Sequence, residues 1–289
     1  MTSRWQVAAA AATGGTHLRT AADRQDSFAV RWQADVLVVA VADGGSRTRL
    51  GLAGATLAVQ LAADAALGHA ASLTDADEAH SRWHALLDEV LVTVIRGIAS
   101  IGSAAIGPGY GIGPGYGGVQ ALGTTLTLVV VRGPWLAVAA VGDGFVVARS
   151  GTDHLDLLLP PDGVRGTEDP LDGNPSETTF ITSPAALASA SRHVARIPDL
   201  TGIAVATDGL RSLALTHEEA LACQPVRNFF LPIFEAVAAE AEPADRLQEL
   251  LADPEVIGRL TDDDRTLVVA WPAEDAARHT APPARKDAS

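Results

Sequence analysis

The chain is poor in the residues that would tie it to an oxidising compartment or to a polyanion. It has a single cysteine, Cys223. No intramolecular disulfide can form, which excludes the stapled scaffolds common among secreted proteins. Without a histidine near it in sequence, Cys223 fits a structural thiol better than a nucleophile. Basic residues are also few: 21 Lys and Arg stand against 35 Asp and Glu, a net charge of −14. Nucleic-acid backbones and anionic membrane surfaces select the opposite balance, so neither is an expected partner. The apolar N-terminal stretch, residues 5–12, has no strong basic leader and runs into Gly14-Gly15. It reads as a first strand, not a signal peptide. No stretch is expected to span a bilayer, and the chain is read as cytoplasmic. What the chain does have is apolar bulk: 47% of its 289 residues are hydrophobic, ample for a core.

The order of elements follows from periodicity. Short apolar runs at residues 28–32 and 36–42, joined by a tight turn, read as an antiparallel hairpin, with 5–12 as a neighbouring strand. Two helices follow. Residues 50–67 are rich in Ala and Leu, and 75–100 place Trp83, Leu87, Val90, Leu91, Val94 and Ile98 at helical spacing. His80 and His84 are four apart on the second helix, a zinc-capable spacing that has no third ligand in the sequence. The sequence Ile-Gly-Pro-Gly-Tyr-Gly then occurs twice in succession, at 106–111 and 112–117, and contains both tyrosines. Such a Gly/Pro-rich stretch cannot build a core, so about 101–119 is expected to be a flexible insertion. Strands are expected at 124–131, 135–141, 145–149, 155–159, 193–197, 202–206 and 266–271. A helical region at 217–251 is expected to break near Pro225, Pro232 and Pro243, and a disordered tail covers 273–289.

One feature recurs along this series. The run Val38-Val39-Ala40-Val41-Ala42 ends in Asp43-Gly44-Gly45; later runs end in Gly142-Asp143-Gly144 and Thr207-Asp208-Gly209. Asp26 begins the second strand, and Asp263 precedes the last. A lone Asp-Gly is usually a turn. Carboxylates gathered at strand ends, with few basic neighbours, repel one another unless cations neutralise them. An all-oxygen set with few histidines suits Mg²⁺ or Mn²⁺ in preference to Zn²⁺. Two such ions can acidify a water and present it to a phosphoryl group.

In their order the motifs resemble the PPM family, the metal-dependent type 2C serine/threonine protein phosphatases, and in particular a bacterial branch. The matching pieces are Gly14-Gly15-Thr16-His17 with Gln25-Asp26, Val41-Ala42-Asp43-Gly44, Gly123-Thr124-Thr125-Leu126, Gly142-Asp143-Gly144, Ala206-Thr207-Asp208-Gly209 and Asp263-Asp264-Arg265-Thr266. The resemblance implies an α+β fold, a four-layer α-β-β-α sandwich of two antiparallel sheets flanked by helices, filling residues 1–272. It implies that Asp43 bridges two Mn²⁺ or Mg²⁺ ions with the Gly44 carbonyl on one of them. Asp208 and Asp263 would complete the first ion, Asp26 would serve the second, and Asp143 would share a third with Asp208. Asp43, Asp208 and His17 would be catalytic, and the substrate a phosphorylated protein, the target of a Ser/Thr kinase. Two positions depart from the family. The arginine that often grips the phosphate is replaced by Ala21, leaving Arg19, Arg24 or His17 to reach it. A histidine that serves some members as general acid is replaced by Gly45. The missing arginine also admits a second reading, a catalytically impaired module that binds phosphoproteins or regulates a kinase pathway.

Overall fold

A strand that is apolar on both faces is stable only when covered on both sides. The structure, a computed structural model, describes residues 5–46, 48–73, 80–106, 118–161, 178–216, 223–254 and 260–273. In chain order the elements are β1 (Trp5–Ala12), α1 (Gly15–Thr20), β2 (Asp26–Gln33), β3 (Val36–Asp43), α2 (Gly51–Ser72), α3 (His80–Ile106), β4 (Leu126–Arg132), β5 (Trp135–Val141), β6 (Phe145–Ser150) and β7 (His154–Leu159). After them come α4 (Ala186–Ser189), β8 (Ser191–Arg196), β9 (Leu200–Ala206), α5 (Arg211–Ala214), α6 (Arg227–Ala239), α7 (Pro243–Ala252) and β10 (Arg265–Pro272). Short 3₁₀ turns lie at Gly118–Leu122 and Asp208–Leu210.

The strands form two antiparallel five-stranded sheets, ordered β2-β3-β4-β5-β8 and β1-β10-β9-β6-β7. Side-chain alternation divides each strand between two layers. In β3, Val36, Val38, Ala40 and Ala42 join the core under α2 and α3. Leu37, Val39 and Val41 face the other sheet, meeting Val146, Ile203, Val205 and Val268. The second sheet turns Phe145, Ala204, Leu267 and Val269 toward Phe230 and Phe234 of α6 and Leu247 and Leu251 of α7. The result is the expected α-β-β-α order of layers. Each fully buried Val or Leu contributes on the order of 1.5–3 kcal/mol, so three apolar layers of this size hold the sheets in one register.

Five features differ from the sequence-based expectation. β1 does not pair with β2; it pairs with β10 from Trp5↔Pro272 to Ala12↔Arg265, and the chain crosses to the other sheet through α1. α1 itself lies in a polar stretch without apolar periodicity and closes at Ala21, whose φ of 52° is left-handed. Pro232 sits inside α6 without ending it. The ring removes one N–H, but Phe230, Ile233, Phe234 and Val237 bury the same face on the sheet and hold the helix through that loss. α2, 22 residues long with an 18-residue stretch of mean hydropathy 1.3, is by length and composition apolar enough to cross a membrane, contrary to the expectation. Its buried face is a stripe of small residues, including Ala55, Ala58 and Ala62, packed in the core with the sheet and α3.

α3 also continues to Ile106, into the stretch expected to be flexible. The Gly/Tyr repeat from 107 to 117, the helix start signal at 74–79 and the tail from 274 lie outside the described residues. His80 packs edge-on against Trp135, with ring centroids 4.9 Å apart.

Leu136, fully buried between the sheets, tests this architecture. Leu136→Ala is expected to lower unfolding free energy by about 2–5 kcal/mol in urea denaturation, with an unchanged m-value.

Candidate active site

At one end of the sandwich the two sheets deliver carboxylates toward each other. Asp43 is the last residue of β3 and Asp26 the first of β2, and they are direct cross-strand partners. Asp143 follows β5, Asp208 opens the turn after β9, and Asp263 precedes β10. Asp43, Asp143, Asp208 and Asp263 line one cavity together with His17 and Gly44. Asp26 has no exposed surface.

Backbone hydrogen bonds fix these positions. Thr124 Oγ1 and the Thr125 N–H both donate to the Asp43 carbonyl, each at 2.8 Å. The Asp43 N–H donates to Thr125 Oγ1 at 2.9 Å. The Gly123-Thr124-Thr125 motif therefore clamps the main chain of Asp43 without engaging its carboxylate. Thr207 instead holds the Asp26 side chain: its Oγ1 donates to Asp26 Oδ2 at 2.7 Å while accepting the Thr266 N–H at 3.0 Å. The Asp208-Gly209 turn lies against the start of β10. A Cβ at Gly209 would fall 1.9 Å from the Asp264 carbonyl oxygen, so only glycine fits. Phe180 closes another wall, and Thr178 Oγ1 donates to Asp143 Oδ2 at 2.9 Å. A Cβ at Gly45 would meet the Phe180 ring at 2.5 Å, so Phe180 fills the room that a histidine would need there.

The electrostatics are those of an anionic cluster removed from water. Burial, then the charges of Asp26 and Asp208, push the Asp43 carboxyl up to about 11. Burial, then Asp143 and Asp263, push Asp208 up to about 8. Burial raises Asp26 to about 6 against the stabilising Thr207 hydroxyl, and burial raises Asp263 as well. Asp26 Oδ1 is buried with no hydrogen-bond donor. Such a site accepts either protons or cations. Among the described residues no three His, Cys, Asp or Glu side chains form a metal-ligand set by themselves. Mg²⁺ and Mn²⁺ do not require one, because hard ions of this kind keep several waters and use one or two carboxylates plus substrate oxygens. The donor set, all oxygen with an orphaned carboxylate oxygen, fits them.

The three groups considered for the substrate phosphate are placed differently. Arg24 donates from Nε to the Asp26 carbonyl and from Nη1 to the Ala11 carbonyl, both at 3.1 Å. It is occupied in joining β1 to β2 and does not line the cavity. Arg19 forms a two-pronged, exposed pair with Asp262 at 3.1 Å, in a neighbouring depression. His17 lies in the cavity, with Nδ1 2.9 Å from Asp264 Oδ2. Sequence reasoning assigned no role to Asp264, Thr207, Thr178 or Phe180. Only Asp264 left a readable trace: in Asp262-Asp263-Asp264, entering a buried strand, alternation sends neighbours to different surroundings.

Comparison with known proteins agrees with this fold. The profile of the family described as protein phosphatase 2C matches residues 13–252, and the chain belongs to that family. No curated protein matches it in sequence. Among solved structures it is similar to the S. agalactiae serine/threonine phosphatase, with 17% identity, a TM-score of 0.60, and 93% of this chain and 99% of that one covered. The serine/threonine phosphatase Stp1 from Staphylococcus aureus gives 12% identity and 0.58, covering 94% and 96%. A C. elegans sex determining protein gives 15% identity and 0.62, covering 96% of this chain and 67% of that one. At these identities the likeness is one of fold.

The raised carboxyls have a consequence for stability. Unfolded aspartates titrate near about 3.9. Above that pH the folded, metal-free protein binds more protons than the unfolded chain, so its stability falls as pH rises through about 6 and about 8, where Asp26 and Asp208 ionise. In a chelator, Tm is expected to be higher at pH 5.5 than at pH 8. Mn²⁺ should raise Tm more at pH 8 than at pH 5.5, and Asp43→Asn should shrink both differences. Equal melting temperatures at the two pH values would contradict the reading.

Proposed function

We propose that this chain hydrolyses phosphoserine and phosphothreonine in proteins with the help of Mn²⁺ or Mg²⁺. The observation that carries the reading is the meeting of Asp26, Asp43, Asp143, Asp208 and Asp263 from both sheets at one end of the sandwich, where burial and mutual repulsion demand positive charge. Asp43 would serve two ions, and the Gly44 carbonyl one of them. Asp208 and Asp263 would complete one, Asp26 would serve the other, and Asp143 would share a weaker third with Asp208. When bound, the ions supply the charge that acidifies a water and offsets the negative phosphoryl group. Thr124, Thr125 and Thr207 hold the carboxylates in place through the hydrogen bonds above. Phe180 covers part of the cavity and limits bulk water beside Gly45.

His17 is the one nitrogen base among the described residues lining the cavity. It is the group suited to give a proton from Nε2 to the seryl or threonyl oxygen as its bond to phosphorus breaks, and to regain one from the attacking water. Arg19 would have to leave Asp262 to reach the phosphate, and Arg24 is occupied by two carbonyls. Phosphate contact therefore falls mainly to His17 and the ions. The substrate would be a protein phosphorylated by a Ser/Thr kinase, and the setting the cytoplasm, which suits a chain without cysteine pairs. Residues 1–272 would act as one phosphatase domain.

Ala21, together with the occupied Arg24, supports a second reading, a phosphoprotein-binding module with little turnover. One assay separates the two. With Mn²⁺, the wild type is expected to release phosphate from a phosphothreonine peptide, and Asp43→Ala or Asp208→Asn to lose at least about 100-fold in kcat, the scale of one lost transition-state contact. Saturable peptide binding without release would favour the binding module.

A further inference from the structure

Asp264 has no part in the assignments above, yet it is 1% exposed while its neighbour Asp262 is 61% exposed. A carboxylate taken this far from water needs donors. Asp264 has three. The Gly14 N–H donates to Oδ1 at 2.7 Å, the Gln25 N–H donates to Oδ2 at 2.6 Å, and His17 Nδ1 lies 2.9 Å from Oδ2. Gly14 stands just before α1 and Gln25 just before β2, so this one side chain fastens both ends of the α1 segment to the start of β10.

The third contact has a chemical consequence. A carboxylate already held by two amide donors only accepts, so the hydrogen between it and the imidazole sits on Nδ1. The imidazole is itself confined, its side chain 15% exposed. Nε2 is then the ring nitrogen left for the cavity that His17 shares with Asp43, Asp143, Asp208 and Asp263. Whether His17 is neutral or cationic, Nδ1 keeps its hydrogen and any proton exchanged is the one on Nε2.

We propose that Asp264 is a positioning residue, which holds His17 in the Nδ1–H tautomer and turns Nε2 toward the ester oxygen of the substrate. The inference rests on the phosphatase reading and deepens it. It explains how a chain with Ala21 and Gly45 retains a proton-exchanging group: the group comes from α1, and its orientation comes from a carboxylate next to a proposed metal ligand in sequence but turned the other way.

The test compares wild type, His17→Gln, Asp264→Asn and the double variant, with Mn²⁺ and a phosphothreonine peptide. Both single variants are expected to lose about 100-fold or more in kcat with a much smaller change in KM. The double variant should be no slower than His17→Gln alone, because Asp264 acts through the ring. Additive losses, or an Asp264→Asn enzyme with wild-type kcat, would overturn the proposal. A second readout does not depend on turnover: imidazole ¹⁵N shifts of wild-type His17 should report hydrogen on Nδ1, and a neutral ring with hydrogen on Nε2 would overturn it. If the wild type releases no phosphate, the phosphatase reading fails, while the ¹⁵N shifts still decide whether Asp264 holds the ring. Should thermal melting show Asp264→Asn to be unfolded, Asp264→Glu replaces it. Retaining the carboxylate, it is expected to keep the Nδ1–H tautomer and recover part of kcat, and loss of that tautomer with kcat unchanged would count against the proposal.

Discussion

Carboxylates brought out of water beside one another repel, and the rest of this structure is arranged so that they nevertheless stay together. Asp26 and Asp43 face each other across a strand pair, and Asp208 and Asp263 approach from the opposite sheet. Nothing in that group is self-stabilising. The apolar layers between and outside the sheets hold the backbones in register, and that register fixes how near the carboxylates must come. Core packing thus stores an unfavourable electrostatic arrangement that protons or divalent cations relieve. A site of this kind is ready for a hydrated hard ion without a closed cage of ligands, because the ion completes its shell with water and substrate oxygens.

The hydroxyl groups around the cluster serve the main chain as much as the carboxylates. Thr124 and Thr125 hold the Asp43 backbone, and Thr207 divides itself between the Asp26 side chain and the Thr266 amide. Asp264 extends the same logic to the opposite wall, where it fastens two backbone amides and a histidine ring. Thr124 and Thr125 tie neighbouring strands of one sheet, whereas Thr207 and Asp264 join segments that belong to different sheets or to the connection between them. The ligand positions are consequently set by the tertiary fold, and a local change at any one strand end is felt by its partners. The likeness to solved structures less than a fifth identical is one of fold.

Much of this was legible in the sequence. Apolar runs ending in Asp-Gly located Asp43, Asp143 and Asp208, because an aspartate at the end of a buried strand and before a flexible residue has few structural uses that recur in order. Valine-rich runs without alternation announced strands covered on both faces, and β3 is one. Other features were invisible for physical reasons. The pairing of β1 with β10 joins the two ends of the described chain, and no local pattern encodes a partner so distant. Pro232 was read as a break because the rule for proline counts one lost hydrogen bond and not the aromatic face that outweighs it. Arg24 looked available for a phosphate until the carbonyls of Ala11 and Asp26 were seen to occupy it.

By itself the amino-acid order determined the strands and the two long helices, the acidic residues at the strand ends and the poverty of basic groups beside them, since all three depend on short-range periodicity and turn chemistry. The tertiary structure decided which carboxylates meet, which cations are already spent, and that His17 is steadied by Asp264, 247 positions away. The reason is that a buried polar group must find its partner wherever the packed sheets bring one. That choice depends on sheet pairing and side-chain alternation, which place side chains adjacent in sequence, such as Asp263 and Asp264, in different surroundings.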